Sequence, residues 1–254
     1  MQPDNEWLER ARAVIRSDAA AILAALSGVD GTFLAAARRL VACRGKVLVT
    51  GSGTSGHVAR RAAHLLSVGG TPAFYLPPED GLHGGLGVLT PEDLVLALSK
   101  GGDSGELNAF CARARPLCGG LIAITADERS PLAALSDLVI RLSLPEDSDL
   151  GGVVATGSSL AAAAVTDALV ELCRTGRGYG WDKVLFTHPS GAVGRDARAS
   201  LQRLEKAALG HVPGHVRAIL RRPAHRGAQP GIRGPLPPGR ADHRRALDRA
   251  AAPA

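Results

Sequence analysis

Residues 46–66, KVLVTGSGTSGHVARRAAHLL, decide the fold. Val47–Val49 is an apolar run that stops at Gly51, Ser52, Gly53, Thr54, Ser55 and Gly56. A helical pattern follows, with Val58, Ala62, Leu65 and Leu66 along one side. Strand, small-residue loop, helix is how an α/β sheet presents backbone N–H groups to an anion. Glycines permit close approach, and the helix N-terminus adds roughly half a positive charge. The literal pattern is G-x-G-x-x-G, which by itself suits a dinucleotide, a sugar phosphate or only a tight turn.

Four more apolar runs follow at regular intervals: Ala73–Leu76, Leu94–Leu98, Leu121–Thr125 and Leu138–Leu142. Gly/Pro/Asp turns and helical stretches separate them, notably Ser104–Leu117 and Pro131–Leu135. Unalternated apolar runs with helices between them signal a parallel sheet covered on both faces. Five such strands with right-handed crossovers make a doubly wound, flavodoxin-like αβα sandwich, whose ligands sit beyond the carboxyl ends of the strands. Two helices precede the first strand. Residues 5–27 carry Trp7, Ala11, Val14, Ile15, Ile22 and Leu26 near helical spacing, and residues 30–43 carry Phe33, Leu34, Ala37 and Leu40. This preface, residues 1–44, is expected to pack on the domain through those apolar side chains, with dimerisation as the other use for them. After the last strand come a helix over Thr156–Arg174 and a short one at Asp182–Leu185.

Apolar content is 45% and aromatic content only 3%, so Ala, Val, Leu and Ile must build the core. No apolar run reaches the ~20 residues of a membrane span. The mixed-charge N-terminus is not a secretory signal. Cys43, Cys111, Cys118 and Cys173 lie far apart beside apolar sequence, which reads as reduced core thiols in a cytoplasmic protein. The net charge of +6 is uneven: residues 201–254 hold eleven Lys/Arg against three Asp/Glu, leaving nineteen against twenty-one in the first 200. A near-neutral domain, residues 45–200, gives no electrostatic footprint for nucleic acid. The basic Arg/Pro/Gly/Ala-rich tail, residues 201–254, reads as a weakly ordered extension.

The strand ends carry the chemistry. GSGTSG follows the first strand, Ser99-Lys100-Gly101-Gly102-Asp103-Ser104 the third, and Thr156-Gly157-Ser158-Ser159 opens the long helix. Hydroxyls and backbone N–H groups converging from three such loops hold one phosphate without an arginine. The proposed cradle comprises Gly51, Ser52, Gly53, Thr54, Ser55, Ser99, Lys100, Gly101, Ser104, Thr156, Ser158 and Ser159. A dinucleotide fits less well, since the second strand ends Leu76-Pro77-Pro78 where an acidic residue would be needed.

The ordered segments GSGTSGH, EDGLHGGLGVLTPEDLVLALSKGGDSGEL, LIAIT, VATGSS and THPSGAVGR resemble the sugar isomerase (SIS) domain, and within it the arabinose-5-phosphate isomerases of the KpsF/GutQ type. The likeness runs from about Val41 to Arg198. It implies an aldose–ketose isomerase that interconverts ribulose 5-phosphate and arabinose 5-phosphate through a cis-enediol. Glu106, His83 in L-H-G-G and His188 in H-P-x-G align with the family's active-site glutamate and histidines, the last contributed near a subunit interface. Asp147 stands where relatives carry a further glutamate. Plainer roles exist for each: Glu106 favours a helix N-terminus, His83 sits in a glycine loop, His188 closes a chain reversal, and Asp103 reads as a helix N-cap. No metal and no cofactor enter this reading. The expected partners are a sugar phosphate and a second or fourth copy of the chain, with neither membrane nor nucleic acid.

Three departures stand out. Thr54 replaces the first-loop lysine of close relatives, and Lys100 stands where they usually have an uncharged residue, so Lys100 is a candidate replacement cation. The tail has neither the length nor the strand pattern of the paired CBS modules that often follow; a frame-shifted remnant would look the same. The alternative function is a non-catalytic sugar-phosphate sensor that kept the loops and lost the lysine.

Overall fold

The computed structural model describes residues 4–188 and Ala199. The tail and most of the THPSGAVGR segment lie outside the described residues. Five parallel strands form one sheet: β1 (Val47–Thr50), β2 (Ala73–Tyr75), β3 (Leu94–Leu98), β4 (Gly120–Thr125) and β5 (Leu138–Arg141). Their order is β2-β1-β3-β4-β5, in continuous parallel register. This is the doubly wound sandwich that the sequence pattern predicts.

Side-chain alternation sorts the core into two layers. Val47, Val49, Leu94, Leu96, Leu98, Ile122, Ile124 and Ile140 point to one face. There they meet α2 (Gly31–Ala42), α3 (Gly53–Val68) and α7 (Gly157–Gly176). Leu48, Val95, Ala97, Leu121 and Ala123 point to the other, against α5 (Gly105–Ala114) and α6 (Pro131–Leu135). Every residue of β1, β3 and β4 is buried, which is why these strands read as unbroken apolar runs. The Asp30 carboxylate caps α2 by accepting from Thr32 N and Phe33 N, at 2.8 and 3.0 Å, a cap worth about 1 kcal/mol.

The first helix, α1 (Asp4–Ala24), corrects one expectation. Trp7, Ile15 and Leu26, assigned to a buried face, are 66, 69 and 66% exposed. What is buried is small: Ala21 and, in the following 3-10 turn, Ala25. Alanine at the contact lets α1 lie close against α7, leaving the bulky row outside. Periodicity located the helix correctly but not the face that packs.

A five-residue helix, α4 (Pro78–Leu82), and a 3-10 turn at Gly85–Val88 fill what reads in sequence as a loop. Both are too short for a hydrophobic period to show. Gly81 of α4 presses on the Phe110 ring of α5 and leaves no room for a side chain. A further helix, α8 (Trp181–Phe186), docks beside the final turns of α3 and α7. The Arg174 guanidinium there lies 4.2 Å over the Trp181 ring. Among the described residues no single helix is long and apolar enough to cross a membrane.

Candidate anion-binding and active site

Strand order reverses between β1 and β3, so the loops leaving these neighbouring strands diverge to opposite faces and open a crevice between them. The GSGTSG loop is built to pass close to β3. A side chain on Gly51 would come within 2.8 Å of the Leu98 carbonyl oxygen. One on Gly56 would come within 2.6 Å of the Gly51 carbonyl oxygen and 2.8 Å of the Tyr75 hydroxyl, which itself donates to Gly51 O at 3.1 Å. Gly53 adopts φ +54° in open space. Two of the three glycines thus serve packing and the third serves conformation. Beyond them the first N–H groups of α3 have no intrahelical acceptor, and the Ser52 side chain caps none of them.

A cleft of about 30 Å3 lies where the loops meet, lined by Thr54 and Ser55 from the first, Ser99 and Lys100 from the second, and Ser158 and Ser159 from α7. The cleft is small, and Thr54 and Lys100 stand exposed at its mouth, where a phosphate would be received. The second loop is tied down: Ser99 Oγ accepts from Gly102 N at 3.1 Å, and Asn108 Nδ2 donates to Gly102 O at 3.2 Å. Of the other residues assigned to the cradle, Gly51, Ser52, Gly53, Gly101 and Ser104 shape the loops without lining the cleft, and Thr156 lines a different hollow.

Two of the expected ligand groups are already engaged. Lys100 Nζ donates to Asp149 Oδ2 at 2.6 Å. Ser158 gives both its N–H and its hydroxyl to the same carboxylate, at 2.9 and 2.7 Å. Sequence reasoning missed Asp149; an acidic residue shortly before a Thr/Ser helix start was the available signal, and Asp147 was chosen instead. Asp147 is exposed. Its backbone carbonyl accepts from Ser17 Oγ at 3.0 Å, and it borders an open hollow of about 480 Å3 between α1 and the loop before α7. With Asp18, Asp147 and Asp149 around it, that hollow repels a phosphate. A groove of about 470 Å3 along α3 and α7 contains Arg61, but its guanidinium is spent on Asp167 in a two-bond pair at 2.6 and 2.9 Å. Of these three hollows, the small strand-end cleft is the one lined by hydroxyls from three helix-opening loops.

Glu106 sits exposed in the first turn of α5. Its own backbone N–H, then the nearby Ser52 hydroxyl, hold its carboxyl below the ordinary glutamate value of 4.5. Ser52 Oγ is buried without a hydrogen bond of good geometry, yet close enough to favour the charged carboxylate. The fold thus brings the glutamate from beyond β3 to the loop from beyond β1. Asp103 is exposed, and Ser104, not Asp103, occupies the N-cap position of α5.

His83 is exposed at the C-terminus of α4, the helix packed on α5. His188 is placed elsewhere. Its Nδ1 lies 2.6 Å from the Val184 carbonyl oxygen, which can only accept, so Nδ1 is the donor there. Val184 packs beside Leu65 and Val68, at the opposite end of α3 from the cleft. The 16 residues of α3 span about 24 Å. Among the described residues no three His, Cys, Asp or Glu side chains converge as a metal would require. Burial pushes the Cys111 thiol up to about 12 and the Cys173 thiol up to about 11, which disfavours the reactive thiolate at both.

A family model described as SIS domain matches residues 40–172. The arabinose 5-phosphate isomerase KdsD of Escherichia coli K12 is 30% identical over 195 residues, covering 77% of this chain and 60% of that protein. KdsD of Pseudomonas aeruginosa is 31% identical over the same length and the same shares. The chain therefore spans about 60% of the length of the curated relatives it matches. A crystal structure of a putative sugar-phosphate isomerase from Listeria monocytogenes superposes with a TM-score of 0.71 at 28% identity, covering 75% of this chain and all of that one.

Proposed function

Because the chain belongs to the SIS domain family, we propose that it is a phosphosugar isomerase interconverting an aldose and a ketose phosphate, with arabinose 5-phosphate and ribulose 5-phosphate as the first pair to test. The observation that carries this reading is a cleft lined by hydroxyls from three helix-opening loops at the reversal of strand order, with Glu106 in the first turn of the helix that follows β3. The likeness to KdsD supports the choice of sugars.

The chemistry follows from the atoms. Thr54, Ser55 and Ser99 take the phosphate at the cleft, leaving the sugar to extend outward past the start of α5. Glu106, ionised at neutral pH, removes the proton on the carbon beside the carbonyl. The electron pair moves to form the C1–C2 double bond of a cis-enediol as the carbonyl oxygen takes up a proton. Return of the first proton to the neighbouring carbon, with loss of the other hydroxyl proton, completes the exchange. A histidine suits the oxygen-to-oxygen proton transfer and ring opening, since neutral imidazole both gives and takes a proton near pH 7. His83 is the candidate within the same chain. His188 lies a helix length from its own cleft, so its part is assigned to the cleft of a second copy in a homo-oligomer.

Glu106→Gln keeps shape and removes the base; kcat for ribulose 5-phosphate should fall by about 10²–10⁴-fold with phosphate affinity retained. Wild-type turnover in that variant would remove Glu106 from the mechanism.

A further inference from the structure

Among the described residues lining the cleft, Lys100 is the only cation, and a buried carboxylate stands behind it. The Asp149 side chain is 2% exposed and Lys100 43%. One Asp149 oxygen accepts from Lys100 Nζ at 2.6 Å and Ser158 Oγ at 2.7 Å; the other accepts from Ser158 N at 2.9 Å. Burial alone would push this carboxyl up, but the bonds from Lys100 and Ser158 outweigh it and hold it below its ordinary value. The Asp149 carboxyl is therefore favoured in its charged form.

The other end of Lys100 is equally fixed. Its carbonyl oxygen accepts from Ala126 N at 2.9 Å and Thr125 Oγ1 at 3.0 Å, anchoring the loop to the end of β4. An ammonium has three N–H donors and no acceptor. One is spent on Asp149, and the exposure of the side chain leaves the rest at the mouth of the cleft. A lysine free in solvent gives up much rotamer freedom when it grips a ligand; one already held has given it up on folding.

We propose that Asp149 is a positioning residue, holding the Lys100 ammonium at the mouth of the cleft as the cation that receives the phosphate, a charge Thr54 cannot supply from the first loop. Asp149 does not touch the ligand, because its oxygens are spent on Lys100 and Ser158. The inference rests on the phosphate-binding part of the proposed function and not on the isomerisation.

The test is calorimetric titration with inorganic phosphate at low ionic strength, with melting temperature recorded for each variant. Asp149→Asn and Lys100→Met should each weaken phosphate binding about tenfold. The double variant should be no weaker than Lys100→Met alone, since Asp149 acts through Lys100, and Lys100→Arg should restore part of the loss. Unchanged or tighter binding in a folded Asp149→Asn protein overturns the proposal, as do losses that simply add. Should Asp149→Asn fail to fold, Lys100→Met at an exposed side chain still decides: unchanged affinity overturns it. A wild-type protein that binds phosphate but does not isomerise contradicts the enzymatic reading and leaves this inference standing. One that isomerises while Lys100→Met binds phosphate normally does the reverse.

Discussion

Glu106 and Asp93 are both carboxylates held below their ordinary values by hydrogen bonds, one of them exposed and the other buried. Glu106 is exposed and favoured in its charged form by its own N–H and by Ser52. Its base form therefore persists as pH falls, and the acid limb of kcat/KM should lie below the ordinary glutamate value of 4.5. A limb near neutrality would transfer the limiting titration to a histidine. Asp93 is buried, which alone would raise its carboxyl. Bonds from Lys46 N and Nζ and from Thr90 N and Oγ1, at 2.7–2.9 Å, more than compensate. A folded value below the unfolded one gives stability that is present above the ordinary 3.8 and lost as pH falls through the folded value. Asp93→Ala should cost about 2–4 kcal/mol near neutrality without touching the cleft. Chemical denaturation at pH 7 and in mild acid would show it, and a midpoint equal to wild type at pH 7 would refute the assignment.

At the scale of elements, the G-x-G-x-x-G turn between β1 and α3 serves the fold and the site together. Gly51→Ala puts a methyl group 2.8 Å from the Leu98 carbonyl oxygen and should cost about 1–3 kcal/mol while displacing Thr54 from Ser99. Gly53→Ala meets open space and pays only for its positive φ, about 1 kcal/mol. Thermal melts with phosphate titration separate the two, and phosphate binding by Gly51→Ala at wild-type affinity would break the link between turn and cleft. The strands and long helices were legible because burial on both faces makes β1, β3 and β4 unbroken apolar runs and leaves one-sided faces on α2 and α3. α4 was not, since five residues carry no period. Neither was the packing face of α1, where Ala21 and Ala25 make the contact and the larger residues do not. Thr54, Ser55, Ser99, Ser158 and Ser159 were readable as small hydroxyls before helix starts. The bond from Lys100 to Asp149 was not, because it joins residues 49 positions apart through a loop without secondary structure.

At the scale of the whole molecule, one chain holds a hydroxyl-lined cleft and Glu106 at one end of its sheet and His188 beside the far end of α3. If His188 serves a partner's cleft, two inactive variants should rescue each other. Mixing Glu106→Gln with His188→Ala after dissociation should restore about a quarter of wild-type activity in a dimer, because half of the dimers are mixed and each has one intact site. No recovery would confine catalysis to one chain. The central claim, that the cleft and Glu106 perform proton transfer between adjacent carbons, is tested most directly by incubating the protein with ribulose 5-phosphate in deuterated water and following the products by NMR. The account predicts an aldose phosphate carrying deuterium at C2. Phosphate-ester binding with no exchange and no product would contradict it and identify the chain as a sensor.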